Sequence, residues 1–155
     1  MLLDSYANAA ADRRSKQNML RFHRIWIGDP METLRTEMAP ALLKSNCDWA
    51  TTGAGASLLM VPYLTEVTRI DLYVDAELMS NPTRLSSLLG ARIVEHGQVI
   101  EVRELPTVMS VNGPVVEGIQ VALPIRVYAD LLAAGGRWAE AAQHLREDLG
   151  DRTQA

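Results

Sequence analysis

The chain has 155 residues, 48% of them hydrophobic and 22% charged, which excludes a disordered protein and fits one globular domain. Its net charge of −4 excludes a protein that binds nucleic acid over its whole surface, and no apolar stretch approaches the roughly 18 residues of a membrane span. The single cysteine, Cys47, excludes an internal disulfide and a cysteine-based zinc site, so we expect a cytoplasmic protein.

The N-terminal segment is the most basic part of the chain. It has five basic side chains and no acidic one between residues 13 and 24, whereas the remainder has 10 basic and 19 acidic residues. The segment from Leu2 to about Arg24 lacks Gly and Pro, which predicts a helix, with a short strand from Phe22 to Ile27 as the alternative for its end. The candidates for contacts with nucleic-acid phosphates are Arg13, Arg14, Lys16, Arg21 and Arg24. A solvated helix face or a linker to another domain is the alternative that we favour.

The middle of the chain alternates between helical and strand patterns. Asp29, Pro30 and Glu32 are typical of a helix start, and this helix should run to about Ser45 with a kink at Pro40. A Gly- and Ala-rich turn and small-residue helix follow. Residues 68–74 alternate apolar and polar side chains, which predicts the clearest strand.

The last third contains short strands and a helical pair. A helix from Asn81 to Leu89 should precede a hairpin of residues 91–94 with 99–102, and Asn112-Gly113 suggests a second hairpin turn. Pro124 begins a helix that Gly135-Gly136 should end before another apolar stripe, which together predict an αα-hairpin.

These elements indicate an α+β fold. We expect a mixed or antiparallel sheet with helices packed on one side and a C-terminal αα-hairpin, and a degenerate nucleotidyltransferase-like core is one version of it. The predicted division is an N-terminal helical segment or linker at residues 1–48 and an α+β domain at residues 49–155.

One pattern could support catalysis. A Gly-rich turn from Gly53 to Ser57, followed by Asp71 and Asp75, has the layout of a nucleotidyltransferase-like site in which paired carboxylates hold magnesium. Such sites have carboxylates two residues apart, but position 73 is Tyr, and residues four apart on a strand are separated by about 13 Å. We therefore favour a tight glycine turn with solvated acids.

Metal ligands are not indicated elsewhere. His23, His96 and His144 belong to different predicted elements, and no pair has metal-ligand spacing. The sequence accordingly predicts no metal site, no cofactor and no catalytic residue.

Two segments carry a resemblance to a known family. Tyr128-x-Asp130-Leu131, then Gly135-Gly136-Arg137 and an Ala-rich helix, resembles the C-terminal signature of the AbiEi family, the antitoxins and transcriptional regulators of type IV toxin–antitoxin systems. The segment from Trp49 to Leu59 is similar to an upstream segment of the family, with Thr51 in place of Leu. The likeness covers about residues 49–149.

The resemblance implies a non-enzymatic C-terminal antitoxin or regulator domain that antagonises a nucleotidyltransferase toxin and regulates its own operon. DNA, the cognate toxin and a second copy of the chain are the implied partners, and no membrane is involved. The family's winged helix-turn-helix is not recognisable in residues 1–48, so we expect either the C-terminal portion of a longer protein or a short member.

We expect the family-motif residues to hold the fold: Trp49, Gly53, Tyr128, Asp130, Gly135, Gly136 and Arg137. Arg137 and Trp138, near the turn, are also candidates for contacts with a partner. The competing interpretation is a nucleotidyltransferase-like enzyme that uses Gly53, Ser57, Asp71 and Asp75.

Overall fold

The computed structural model describes residues 18–61, 66–106 and 113–154. Five strands form the main sheet: β1 (Met19–His23), β2 (Trp49–Thr52), β3 (Ile70–Val74), β4 (Arg92–Ile93) and β5 (Ile100–Glu104). Their order is β2-β3-β5-β1-β4, with β3 and β5 parallel and the other neighbours antiparallel. Two further strands, β6 (Val115–Val116) and β7 (Ile119–Gln120), form a small hairpin. The predicted mixed sheet is therefore confirmed.

The helices alternate with these strands along the chain. They are α1 (Pro30–Thr33), a π-helical segment (Leu34–Met38), α2 (Ala39–Lys44), α3 (Gly53–Met60), α4 (Ala76–Met79), α5 (Pro82–Leu89), α6 (Pro124–Ala134) and α7 (Arg137–Gln154). The last two form the predicted C-terminal αα-hairpin. None of the helices in the described residues is both long enough and apolar enough to cross a membrane.

Local sequence explains the start of α1. The Asp29 carboxylate accepts a hydrogen bond from the backbone N–H of Met31 at 3.0 Å, and Pro30 occupies the first turn, where its missing N–H costs nothing. Pro40 does not break the helix. The residues before it, Leu34–Met38, form a wider π-helical turn, and Pro40 lies in the first turn of the α-helix that follows.

The two faces of the sheet carry different cores. Side chains of Phe22, Leu72 and Val102 point to one face, where they pack with α1, α2, α4 and α5. The opposite face presents Ala50 and Tyr73, which pack against α6 and α7. Helices thus cover both faces of the sheet, whereas the sequence suggested one.

The predicted helix from Leu2 to Arg24 is wrong in its described part, since Met19–His23 form β1 between β5 and β4. Burial of Phe22 and pairing on both sides outweigh the helix preference of Arg, Leu and Met. The earlier part of that helix lies outside the described residues. The division at residue 48 stays a prediction, although β1, α1 and α2 pack in the same core as β3 and β5.

The hairpins also differ from expectation. Residues 91–94 and 99–102 do not pair with each other, because β1 lies between β4 and β5 and pairs with both. The second predicted hairpin falls partly outside the described residues, and β6 pairs instead with β7 across Glu117 and Gly118, which both have positive φ.

Candidate functional site

A buried polar network joins the αα-hairpin to the sheet, and it consists of Thr52, Tyr73, Arg126 and Asp130. The Asp130 carboxylate accepts a hydrogen bond of 2.6 Å from Thr52 Oγ1 and one of 2.7 Å from Tyr73 Oη. Arg126 Nε lies 3.5 Å from Asp130 Oδ1. All four side chains are buried, so the network connects α6 directly with β2 and β3.

The spacing of Arg126 and Asp130 follows from the helix. Residues four apart share one face of an α-helix, and here that face turns toward Tyr73. Arg126 Nε donates to Tyr73 Oη at 2.8 Å, so this hydroxyl accepts from the guanidinium while it donates to the carboxylate. Because each charge is hydrogen-bonded as well as paired, the cost of burying it is offset.

The pKa of the Tyr73 hydroxyl is raised above its ordinary value. Burial of the side chain is the largest cause, and the negative charge of Asp130 adds to it, whereas Arg126 opposes it. Burial therefore favours the neutral form of the Tyr73 hydroxyl in the folded protein.

We expect Tyr73→Phe to lower the free energy of unfolding by about 1–3 kcal/mol at pH 8, because Asp130 and Arg126 each lose a buried partner. Above a pH of about 10 the unfolded wild type releases the Tyr73 proton and the folded one does not, so wild-type stability falls as the pH rises. The deficit of the variant should therefore shrink by about 1.4 kcal/mol at pH 11. Urea unfolding at both pH values measures it, and a pH-independent deficit would contradict the assignment.

A second polar cluster lies on the same face of the sheet, where β3 and β5 run side by side. Asp71 and Glu101 are register partners on these parallel strands, and both are buried. Arg69 Nε lies 3.4 Å from Asp71 Oδ1, and its Nη1 lies 3.3 Å from Glu101 Oε1. One guanidinium group thus connects the two carboxylates.

Glu101 has two further partners. Arg103 Nη1 lies 3.4 Å from its Oε2, and the Gln98 side-chain amide donates to its Oε1 at 3.1 Å. The carboxylate of Glu101 is therefore paired with cations and hydrogen-bonded within the chain.

The glycine turn serves the close approach of α3 to β3. Gly53 has a φ of +69°, and a Cβ placed on it would lie 2.6 Å from Asp71 Oδ2, closer than real contacts allow. A small cavity of about 10 Å³ opens beside this turn. It is lined by Gly53, Ala54, Arg69, Asp71, Asp130, Leu131, Ala134 and Trp138.

Asp71 and Asp75 do not come together, as their spacing indicated, but Asp71 is buried and is not the solvated acid that we expected. Asp75 follows β3 and caps α4, where its carboxylate accepts hydrogen bonds from the backbone N–H groups of Leu78 and Asp48 at 2.9 and 3.0 Å. Ser57 is buried within α3. The described residues include no group of three or more His, Cys, Asp or Glu side chains that could hold a metal ion.

Sequence reasoning missed Glu101 as the neighbour of Asp71. The available signal was an acidic residue between two apolar ones, Ile100 and Val102, in a strand whose first three residues are buried. An acid at such a position has to find partners, because an unpaired buried carboxylate is costly.

The family-motif residues lie in the core and at the hairpin turn. Trp49 and Tyr128 are buried on opposite faces of the sheet. Gly135 and Gly136 have φ values of +71° and +57° between α6 and α7, a backbone conformation that glycine adopts without strain. Arg137 stacks over the Trp138 ring at 4.5 Å and donates to the carbonyl oxygen of Glu66 at 3.3 Å.

The two basic residues of the N-terminal segment that the structure describes, Arg21 and Arg24, do not lie on a helix. Arg21 belongs to β1, and Arg24 packs at the end of α5, where its Nη1 donates to the carbonyl oxygen of Leu89 at 3.1 Å. Arg24 also lies over the Trp26 ring at 5.5 Å and 3.6 Å from a Glu37 carboxylate oxygen. Arg13, Arg14 and Lys16 lie outside the described residues.

Comparison with known proteins identifies the family. A family model described as "Transcriptional regulator, AbiEi antitoxin, Type IV TA system" matches residues 1–151. The chain matches no curated protein and no solved structure. Because the family match spans nearly the whole sequence, the chain belongs to the AbiEi family of type IV toxin–antitoxin antitoxins and transcriptional regulators.

Proposed function

We propose that this chain is a non-enzymatic antitoxin and regulator module that antagonises a nucleotidyltransferase toxin and represses its own operon. Membership of the family supports the general class of this role. The observation that carries the non-enzymatic part is the position of the Arg69 guanidinium between the carboxylates of Asp71 and Glu101.

Two-carboxylate metal sites work because both acids direct negative charge at one cation. Here a covalently attached cation already lies within 3.5 Å of both acids, and Arg103 supplies a second positive charge to Glu101. A divalent ion would have to displace Arg69 from both ion pairs. The two carboxylate side chains are also nearly inaccessible, since Asp71 is 6% exposed and Glu101 is 7% exposed. The pair therefore contributes to stability of the fold in our proposal.

Asp130, the other acid beside the cavity, is also engaged. It accepts hydrogen bonds from Thr52 and Tyr73 and pairs with Arg126, so its charge is directed into the polar network. The acids around the cavity thus support the αα-hairpin and the sheet in our proposal.

The competing function is a nucleotidyltransferase-like enzyme. Its support is the juxtaposition of Asp71 and Glu101 on parallel strands next to the Gly53 turn. The two functions make opposite predictions for the same substitution, so one set of variants separates them.

We expect Asp71→Asn, which keeps the shape of the side chain, to rescue growth as well as the wild type when co-expressed with the cognate toxin. The proposed role uses the charge of Asp71 only in the ion pair with Arg69, so thermal unfolding of each variant is measured first and rescue is compared for variants that stay folded at the growth temperature. Purified wild type should transfer no labelled nucleotide in the presence of magnesium. Transfer that Asp71→Asn abolishes would overturn the non-enzymatic role, and Glu101→Gln provides the matched second variant.

Repression of its own operon is tested separately. A reporter driven by the promoter of the chain's own gene should be repressed by the wild type. The proposed role places the chain in the cytoplasm. Self-association is tested by measuring the mass of the purified chain in solution. Unchanged reporter expression would contradict the regulatory part while leaving toxin rescue as the test of the antitoxin part.

A further inference from the structure

Strand β4 forms one edge of the main sheet. It pairs with β1 on one side, and no described strand lies on its other side. The backbone N–H of Val94 donates to the carbonyl oxygen of Arg21 at 2.9 Å, so the backbone groups of Val94 face β1. Because these groups alternate sides along a strand, the N–H and C=O of Ile93 point away from the sheet. Within the described residues, neither group takes part in a hydrogen bond.

The edge is closed before β4 and open after it. The N–H of Ala91 donates to the carbonyl oxygen of Ser86 at 3.1 Å, and the Ala91 carbonyl oxygen accepts from the Ser86 hydroxyl. Both backbone groups of Ala91 are therefore used within the chain. The segment that follows β4 is exposed from residue 95 to residue 97. A further strand could thus pair with Ile93 and continue along this exposed segment.

Exposed isoleucines accompany the open edge. Ile93 is 50% exposed, and Ile25 and Ile27, in the segment that follows β1, are 79% and 89% exposed. Ile25 and Arg92 help to line a groove of about 550 Å³ together with Ser86. Exposed apolar side chains beside a concave surface are typical of a site that binds a segment of another protein.

The two faces of this edge carry different side chains. Arg92 is exposed and shares one face with its register partner His23. Within the described part of the chain, neither of them makes a side-chain hydrogen bond or ion pair. Ile93 lies on the other face, and the exposed acid Glu95 follows it at the spacing that places side chains on one face of a strand. A partner strand is therefore favoured if it presents acids to Arg92 and apolar side chains to Ile93.

We propose that β4 binds an extended segment of another protein in which acidic and apolar residues alternate, and that this segment adds an edge strand to the main sheet. Main-chain hydrogen bonds to Ile93 hold the added strand, and its alternating side chains provide the specificity. Charge complementarity favours such a partner over a second copy of the chain. Pairing of β4 with itself about a two-fold axis would place Arg92 of both copies on one face of the joined sheet, where like charges repel. The proposal does not rest on the antitoxin or regulator role.

The test uses a short fluorescein-labelled peptide of alternating Glu and Val, whose binding to the purified chain is measured by fluorescence anisotropy. The wild type should bind this peptide. A peptide of the same composition with all Glu residues placed before all Val residues should bind about tenfold more weakly, because it cannot present its acids on one face. Methylation of one of the two alternating sets of amide nitrogens should abolish binding and methylation of the other should not, since only one edge of the peptide pairs with Ile93.

Two pairs of variants locate the binding site. Arg92→Glu reverses the charge that faces the acids and should weaken binding about tenfold. Ile25→Ser removes an exposed apolar contact and should weaken it several-fold. The matched controls, Lys44→Glu and Leu43→Ser, change exposed residues at the end of α2 and should leave the affinity unchanged. Thermal unfolding of each variant confirms that its fold is retained.

Hydrogen exchange measures the added strand directly. Bound peptide should slow exchange of the Ile93 amide, whereas the Ala91 amide, already bonded to Ser86, should change little. Equal exchange at Ile93 with and without saturating peptide would overturn the inference, and so would equal effects of the two methylated peptides. A wild type that does not bind the alternating peptide, or binds it no better than the control peptide, would overturn it as well. Toxin rescue and operon repression are measured independently, so a failure here leaves the proposed function in place.

Discussion

Replacement of Asp130 by Ala should lower the free energy of unfolding by about 3–5 kcal/mol, the largest effect that we expect from a single substitution. The change removes the acceptor of two buried hydrogen bonds, from Thr52 and Tyr73, and leaves the Arg126 guanidinium buried beside a missing partner. Urea unfolding followed by tryptophan fluorescence measures the loss.

A matched control separates this loss from a general effect of removing an acid from the αα-hairpin. Glu147 is exposed on α7, so Glu147→Ala should change stability by no more than about 0.5 kcal/mol. In the Asp130→Ala background, a second replacement of Arg126 by Met should recover part of the loss, because the unpaired buried charge is gone. A loss below about 1 kcal/mol for Asp130→Ala would show that the network does not hold the hairpin to the sheet.

Gly53→Ala should cost about 2–4 kcal/mol, the second large effect. The residue has a φ of +69°, which strains any side chain, and the new Cβ would lie 2.6 Å from Asp71 Oδ2. That carboxylate is buried and paired with Arg69, so it cannot move aside without losing the ion pair. Chemical unfolding of the purified variant provides the value.

Gly97 offers a matched control for the backbone term alone. It has a φ of +76° and nothing within 4 Å of an added Cβ, so Gly97→Ala should cost only about 1 kcal/mol. The excess for Gly53 then reports the contact with Asp71, and it should shrink when Gly53→Ala is combined with Asp71→Ala. Equal losses for the two glycine variants would mean that the close approach of α3 to β3 relaxes freely.

Several features could be predicted from the sequence because short-range chemistry determines them. Asp29 and Pro30 begin α1 through contacts within one turn, and Pro124 and the Gly135-Gly136 pair define both ends of α6. The alternating side chains of residues 70–74 were sufficient to identify β3. The helix ends depend on partners within a few residues of them, and the periodicity of β3 is likewise contained in its own segment, although its partner strands are distant in the chain.

The family could also be recognised from sequence, because its motif residues lie in two segments. The sequence did not show what each motif residue does in the structure. Asp130 reads as a polar residue on an amphipathic helix, yet its hydrogen-bond partners are 57 and 78 positions away in the chain. No local pattern encodes that distance.

Sequence by itself thus determined the α+β class, most helix ends and the family. Tertiary structure decided that residues 19–23 form a strand, because pairing with β4 and β5 and burial of Phe22 outweigh the local preference for helix. It also decided that Asp71 has Glu101 as its neighbour and Arg69 as its counter-ion, while Asp75 caps a helix. Strand pairing joins residues that are distant in the chain, and periodicity along one segment carries no record of which strands will meet.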